Sequence, residues 1–135
     1  MQDEQGLHDK ALASIGRSLA IDGGQSAAWR DQGRVLRGLG RYREAVESYD
    51  RALERDPSDG TAWYGRGLAL DALGSHDDAL ASFDRAAALS PAAAAVHYHR
   101  GCVLATLGRS REAAASLEQA LSLDPSDGEA WLRFA

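Results

Sequence analysis

The stretch GTAWYGRGLALDALGSHDDALASFDRAAALSPAA, residues 60–93, decides the fold, because its pattern of residues occurs three times in succession. Copies of the pattern occupy residues 26–59 and 94–127, with no insertion between them. The period is therefore 34 residues, within the range typical of chains built from stacked repeat units.

Eight columns of the aligned copies hold identical or similar residues. A register that holds at so many positions indicates true repeats rather than a helical bundle with accidental periodicity. The columns are Trp29, Trp63, His97 and Trp131; Gly33, Gly67 and Gly101; Leu36, Leu70 and Leu104; the Leu-Gly pairs that begin at Leu39, Leu73 and Leu107; Ala45, Ala79 and Ala113; Tyr49, Phe83 and Leu117; Ala52, Ala86 and Ala120; and Pro57, Pro91 and Pro125.

The residues of each unit predict two helices. In the first complete unit, apolar residues recur at helical spacing over about residues 27–39, and Gly40 suits the left-handed position after a helix end. A second apolar stripe covers about residues 42–55. Pro57 stops it, because the residue before a proline is pushed out of helical space. The sequence has no period-two alternation, so strands are not expected.

The repeated glycines predict close contact between helices. A glycine inside a helix costs about 1 kcal/mol relative to alanine, so three glycines in equivalent places indicate tight packing. We expect Gly33 to face Ala45 and Ala52 across the helix pair. The Trp and Tyr/Phe columns are then expected to fill the spaces between neighbouring units.

These columns resemble the tetratricopeptide repeat, whose signature is W-x2-L-G-x2-Y, followed by A-x3-F and then P. The first unit presents it as Trp29-x2-Gln32-Gly33-x2-Leu36, Ala45-x3-Tyr49 and Pro57. The departures are Gln or Arg in place of Leu before each glycine, and His97 in a tryptophan position. Neither departure threatens the fold.

The resemblance implies an all-α fold, a right-handed superhelical solenoid of antiparallel helix pairs with about seven helices and a short C-terminal stub. The chain then forms a single domain over residues 1–135. Residues 1–25 align with the second helix of a unit, 26–59, 60–93 and 94–127 are complete units, and 128–135 begin a further first helix.

Composition excludes several classes of function. A formal net charge of −5 argues against a general nucleic-acid binder, which needs clustered excess Lys and Arg. A single cysteine, Cys102, excludes an intramolecular disulfide and a cysteine-based zinc site. No apolar run approaches the roughly 20 residues of a membrane span, and no secretory signal is seen. The expected compartment is therefore the cytoplasm.

Catalytic and metal-binding patterns are also missing. His97 and His99 are two residues apart, so they point to different sides of a helix and are not expected to share a metal. Cys102 has no adjacent base in the sequence, and His8 and His76 are expected to pack at unit boundaries. Phosphate loops and nucleophile elbows are absent. We expect no enzyme activity, no cofactor and no metal.

The resemblance implies that the first helices line a concave groove, where a peptide would bind. Residues one, five and eight places after the Trp position share one helix face. This face is basic in the first unit and becomes aromatic to apolar in the others; the competing interpretation is a solvated arginine stripe with two incidental tyrosines. The predicted groove residues are Arg30, Arg34 and Arg37; Tyr64, Leu68 and Asp71; and Tyr98, His99, Cys102 and Ala105.

Two ligand modes known in the family are not expected. The clamp that grips the acidic C-terminus of heat-shock chaperones uses Lys and Asn, whereas the matching positions here hold Arg30, Arg34, Gly65 and Ala95. The asparagine ladder of the glycosyltransferase-type superhelix is also replaced. Its positions hold Asp31, Gly65, His99 and Arg133.

The function predicted from the resemblance is a protein–protein interaction scaffold that binds a peptide segment with an acidic end in the groove. The alternative is a spacer or assembly segment of a larger protein, with no ligand of its own. The two half repeats also complement each other, which predicts head-to-tail self-association. Against that stands a monomer with frayed ends, which the net charge of −5 favours.

Overall fold

The computed structural model describes residues 25–124, which form six α-helices without a strand. The helices predicted at about 27–39 and 42–55 are confirmed to within one residue. The seventh helix expected in residues 1–25 and the stub at 128–135 lie outside the described residues. The helices are α1 Ser26–Gly38, α2 Tyr42–Arg55, α3 Gly60–Ala72, α4 His76–Leu89, α5 Ala94–Thr106 and α6 Ser110–Leu123.

The Leu-Gly column ends each first helix by a left-handed turn. Gly40, Gly74 and Gly108 have φ values of 78°, 81° and 79°, which a side chain would strain. In the first unit the Arg41 amide donates to the Leu36 carbonyl at 2.9 Å, which satisfies a carbonyl that the helix end leaves open. This turn reverses the chain and starts the second helix.

The helices pack as three antiparallel pairs, α1 with α2, α3 with α4 and α5 with α6, stacked in chain order. First helices of successive pairs also contact each other, whereas second helices of successive pairs are farther apart. Alanines fill the space between the helices; Ala45, Ala52 and Ala79 are almost completely buried. The first helices therefore form the inner layer of the solenoid, where the predicted groove lies.

The nearest side chain to each mid-helix glycine belongs to the Tyr/Phe/Leu column, a partner that the expectation of Ala45 and Ala52 opposite Gly33 did not include. A Cβ at Gly33 would lie 3.0 Å from the Tyr49 ring, and one at Gly67 would lie 2.6 Å from Cε1 of Phe83. The equivalent position at Gly101 lies 2.8 Å from Leu117 Cγ. The close approach predicted from the glycines is present, and its partner is the Tyr/Phe column.

Polar side chains before the glycines connect successive units. Arg66 Nε donates to Asp50 Oδ1 of the preceding second helix at 2.7 Å, and its Nη1 donates to Ser82 Oγ of its own unit at 2.8 Å. Arg100 repeats both contacts with Asp84 and Ser116. At the position where the signature has leucine, arginine therefore connects the second helix of its own unit to that of the preceding unit.

The tryptophan column lies against the turn that joins each unit to the next, and Trp63 of the second unit packs against the core of the first, between units as predicted. Trp63 Nε1 donates to the Pro57 carbonyl at 2.9 Å, and the ring lies near the guanidinium groups of Arg66 and Arg85. His97 replaces tryptophan in the third unit, and its Nε2 is 2.8 Å from the Pro91 carbonyl. Because histidine makes the same type of contact, it is tolerated in this position.

Candidate functional site

A cavity of about 370 Å³ opens between α1 and α3 at the basic end of the predicted groove. It brings together four of the predicted groove residues, the three arginines and Tyr64. It also contains residues that the groove prediction did not include. The lining residues are Arg30, Asp31, Arg34, Arg37, Tyr49, Thr61, Tyr64 and Gly65.

Arg30 is already engaged at the wall of this cavity. Its Nη1 donates to Asp59 Oδ2 at 3.1 Å, and the Asp59 side chain is 6% exposed. Asp59 is also the N-cap of α3, with Oδ1 accepting from the Ala62 amide at 3.1 Å. Arg30 therefore holds two repeat units together, which a prediction from one helix face could not show.

Arg34 and Arg37 are the arginines that remain open to a ligand. Arg34 is 67% exposed at its side chain, and its Nη2 is 3.7 Å from Asp31. Arg37 Nε donates to the Tyr49 hydroxyl at 3.4 Å, a long hydrogen bond that places the guanidinium at the rim of the cavity. Both can therefore turn N–H donors towards the space between α1 and α3.

The next part of the groove is an aromatic cluster. His99 lies at its centre, with ring centroids 5.6 Å from Tyr64, 6.1 Å from Phe83 and 5.0 Å from Tyr98. Tyr64 and Phe83 are 5.9 Å apart. Tyr64, Tyr98 and His99 are all half-buried, so each keeps part of its ring accessible. The aromatic character predicted for this face is present in the structure.

Burial and nearby charges fix the protonation of these side chains. Burial lowers the pKa of His99, while Asp71 raises that pKa and Arg37 lowers it. Burial also raises the pKa of Tyr64, against a smaller opposing effect of Arg37. The ring of His99 is therefore neutral at pH 7, and Tyr64 is a neutral hydroxyl.

Asp71 is the predicted groove residue with negative charge. Its Oδ1 lies 2.8 Å from Nδ1 of His76, and the Asp71 side chain is 39% exposed. His76 lies across the α3–α4 turn from Asp71, and its packing at a unit boundary stays a prediction. The pair fixes the Asp71 carboxylate, whose charge acts on His99 of the aromatic cluster.

The remaining residues of the predicted face are Leu68, Cys102 and Ala105. Leu68 and Cys102 are half-buried, and Ala105 is exposed. Leu68 packs against the buried core around Phe83. Burial raises the pKa of the Cys102 thiol, and a hydrogen bond with Tyr98 opposes that effect only in part. The thiol is therefore protonated at neutral pH and makes a weak nucleophile.

A larger depression, about 600 Å³, lies between α1 and α2. Within residues 25–124 its lining comes from one helix pair, whereas the cavity of the groove spans two units and contains predicted site residues. Its lining is rich in carboxylates. The residues are Trp29, Gln32, Leu36, Glu44, Glu47, Ser48, Asp50, Arg51 and Glu54.

Two further observations concern residues 25–124 alone. These residues contain no cluster of three or more His, Cys, Asp or Glu side chains that could hold a metal ion. In the same part of the chain, every helix is too short or too polar to cross a membrane.

The periodicity, the helix pairs and the groove together define a helical-repeat protein. Residues 30–94 and 94–127 match the tetratricopeptide repeat, and the chain belongs to this family. No curated protein matches the chain.

Solved structures share the fold. The chain superposes on MamA with a TM-score of 0.85 at 23% identity, covering 93% of this chain and 76% of that one. For MamA from Desulfovibrio magneticus RS-1, the TM-score is 0.82 at 22% identity, and the match covers 90% of this chain and 69% of that one. The second TPR of Spaghetti (RPAP3) was solved bound to the HSP90 peptide SRMEEVD. Its TM-score is 0.73 at 24% identity, and the match covers 74% of this chain and 93% of that one. The predicted superhelical solenoid is confirmed.

Proposed function

We propose that this chain is a protein-interaction scaffold that binds an extended peptide segment of a partner along the inner layer of first helices. The observation that carries the proposal is the cavity between α1 and α3, where Arg34 and Arg37 face open space next to the accessible ring of Tyr64. Arg and Tyr are the side chains that most often dominate binding energy in protein interfaces.

The charges around the cavity favour one carboxylate. Three guanidinium groups lie there, but Asp31 and Asp59 pair with two of them, so the balance is 3 − 2 = 1 positive charge. A single Asp, Glu or C-terminal carboxylate would neutralise that charge, whereas a doubly charged phosphate would exceed it. The acidic peptide held by the RPAP3 domain supports the same class of ligand.

The alternative, a spacer with no ligand of its own, predicts that the groove side chains contribute nothing beyond solvation. The open arginines and half-buried tyrosines favour binding over that alternative. We propose a cytoplasmic site of action, the compartment expected from the sequence, and an absence of catalysis. Head-to-tail self-association remains a prediction, because the half repeats lie outside residues 25–124; sedimentation at increasing concentration tests it.

The binding proposal is tested by selecting peptides on the full chain from a displayed random-peptide library. We expect selected peptides to carry an acidic residue, and Arg34→Glu to weaken their binding about tenfold or more, because charge-assisted hydrogen bonds are lost. Raising the salt concentration should weaken binding in the same direction. Fluorescence polarisation with the labelled peptides provides the dissociation constants.

Arg43→Glu is the matched control, since it makes the same charge change at an exposed position of the outward helix α2. It should leave the affinity within about twofold, as expected for a remote, screened charge. Equal losses in the two variants would contradict the groove assignment. Arg30 is not a suitable test residue, because its replacement would also remove the contact to the α3 N-cap.

A further inference from the structure

The groove changes sign between its first and second units. Asp71 occupies the position in α3 that Arg37 occupies in α1, 34 residues earlier. Both charges act on the same ring, that of His99. A partner segment that lies along the groove therefore meets a positive wall first and a negative group one unit later.

The Asp71 carboxylate is held in a defined place but keeps part of its hydrogen-bonding capacity. One oxygen contacts His76 at 2.8 Å, while the side chain remains 39% exposed. A carboxylate has two oxygens and about four acceptor positions. Asp71 can therefore accept further hydrogen bonds from a donor that arrives from the groove.

The surroundings of Asp71 suit the body of a basic side chain. Tyr64 and Tyr98 flank His99, with centroid distances of 5.6 Å and 5.0 Å, and both rings are half-buried. Lysine and arginine bind well where a carboxylate meets aromatic faces, because the ring quadrupole attracts the cation and the ring covers the aliphatic stem.

We propose that Asp71, with Tyr64 and Tyr98, forms a subsite for a Lys or Arg side chain of the same peptide segment whose carboxylate binds near Arg34 and Arg37. This inference rests on the proposed function and adds the second half of the recognition pattern. The partner segment is thus bipolar, with an acidic and a basic residue in a fixed order.

The repeat geometry also sets the spacing between the two residues. Neighbouring packed helices lie about 8–10 Å apart, and an extended peptide advances about 3.3 Å per residue. The acid bound at α1 and the base bound at α3 should therefore be about three residues apart in the partner segment.

The test selects peptides from the displayed library on the full chain and on three variants, Asp71→Lys, Asp71→Asn and Arg34→Glu. Peptides selected on the unaltered chain should contain an acid and a base about three residues apart. On Asp71→Lys the basic residue should disappear and an acidic one take its place. Asp71→Asn removes the charge but keeps an oxygen for His76, so it tests the subsite with the least disturbance of the fold.

Asp77→Lys is the matched control, because Asp77 is exposed in the first turn of α4. This substitution makes the same change of charge as Asp71→Lys. Measured on one selected peptide, Asp71→Asn should weaken binding about tenfold, and Asp77→Lys by less than about twofold. Peptides that depend on Arg34 but lose nothing in Asp71→Asn would overturn this inference and leave the proposed function intact. Peptides insensitive to both positions would overturn both.

Discussion

The two junctions between successive repeats fill the same space with different side chains. At the first junction, Tyr49 of α2 extends past Gly33 to Gly65 of α3. At the second junction, Phe83 of α4 is one hydroxyl shorter, and His99 of α5 stacks against it at 6.1 Å. A tyrosine therefore packs on a glycine at the first junction, whereas a phenylalanine packs on a histidine at the second.

The comparison shows how one backbone can support two kinds of surface. At the first junction Tyr49 occupies the space beside Gly65, and both residues line the cavity beside Arg34. His99 fills the equivalent place at the second junction and brings aromatic area to the groove. The total volume of the two side chains that meet at a junction can change little, because the interior is closely packed. The polar and aromatic groups that they present to a ligand can differ.

The largest effect is expected from Gly67→Leu, within the unit that both junctions share. A Cβ at Gly67 already lies 2.6 Å from Phe83, and that ring is fully buried and cannot move away. We expect about 3 kcal/mol of destabilisation by overpacking, measured by urea unfolding. Gly33→Ala is the milder counterpart, since its Cβ would meet the Tyr49 ring at 3.0 Å; an unchanged unfolding midpoint for Gly67→Leu would contradict the close-approach argument.

A smaller effect should follow from converting the first junction into the second. Gly65→His alone places a side chain against Tyr49, whose ring carbon Cζ is the atom nearest to the new Cβ and whose hydroxyl would lie 2.5 Å from it. We expect a loss of about 2 kcal/mol. Adding Tyr49→Phe removes that hydroxyl but keeps the ring carbons and loses the hydrogen bond from Arg37, so the double variant should recover less than about 1 kcal/mol.

The measurement for this pair is a double-mutant cycle of unfolding free energies. Strictly additive single effects would show that the two positions do not share space. The double variant should also lose the opening beside Arg34, so peptides selected for an acidic residue should bind it more weakly than the unaltered chain.

The smallest effect concerns pH at the second junction. His99 has a lowered pKa in the folded chain, mainly through burial, so folding favours its neutral form. Stability is therefore complete above the ordinary pKa of about 6.5 and falls as the pH drops through the folded pKa. His99→Gln should make the unfolding free energy less sensitive to pH between 7 and 5 than in the unaltered chain; parallel curves would contradict this assignment.

Much of the architecture follows from the sequence because it depends on local periodicity. The Leu-Gly column predicted the ends of the first helices, and Gly40, Gly74 and Gly108 have the required positive φ. Helical spacing also predicted which face of α1 carries its arginines. These features need only the residues within one unit.

Other features could not be predicted, because they depend on how units meet. Arg30 contacts Asp59, 29 residues away, and the sequence offers several acids at similar distances. The contact between Gly33 and Tyr49 was missed for the same reason: the alanines and Tyr49 lie along one helix, and packing decides which of them comes nearest. The open arginines could be identified only after the engaged one was known.

The bridge from Asp50 through Arg66 to Ser82 has a consequence for how the chain can be lengthened. Residues 60–93 carry both the arginine that reaches backwards and Asp84, which receives the arginine of the unit that follows. A tandem duplication of this segment would therefore join to itself with every bridge satisfied. At the new boundary, however, Phe83 would meet a copy of Gly65 instead of His99, so each added unit would introduce another opening along the groove.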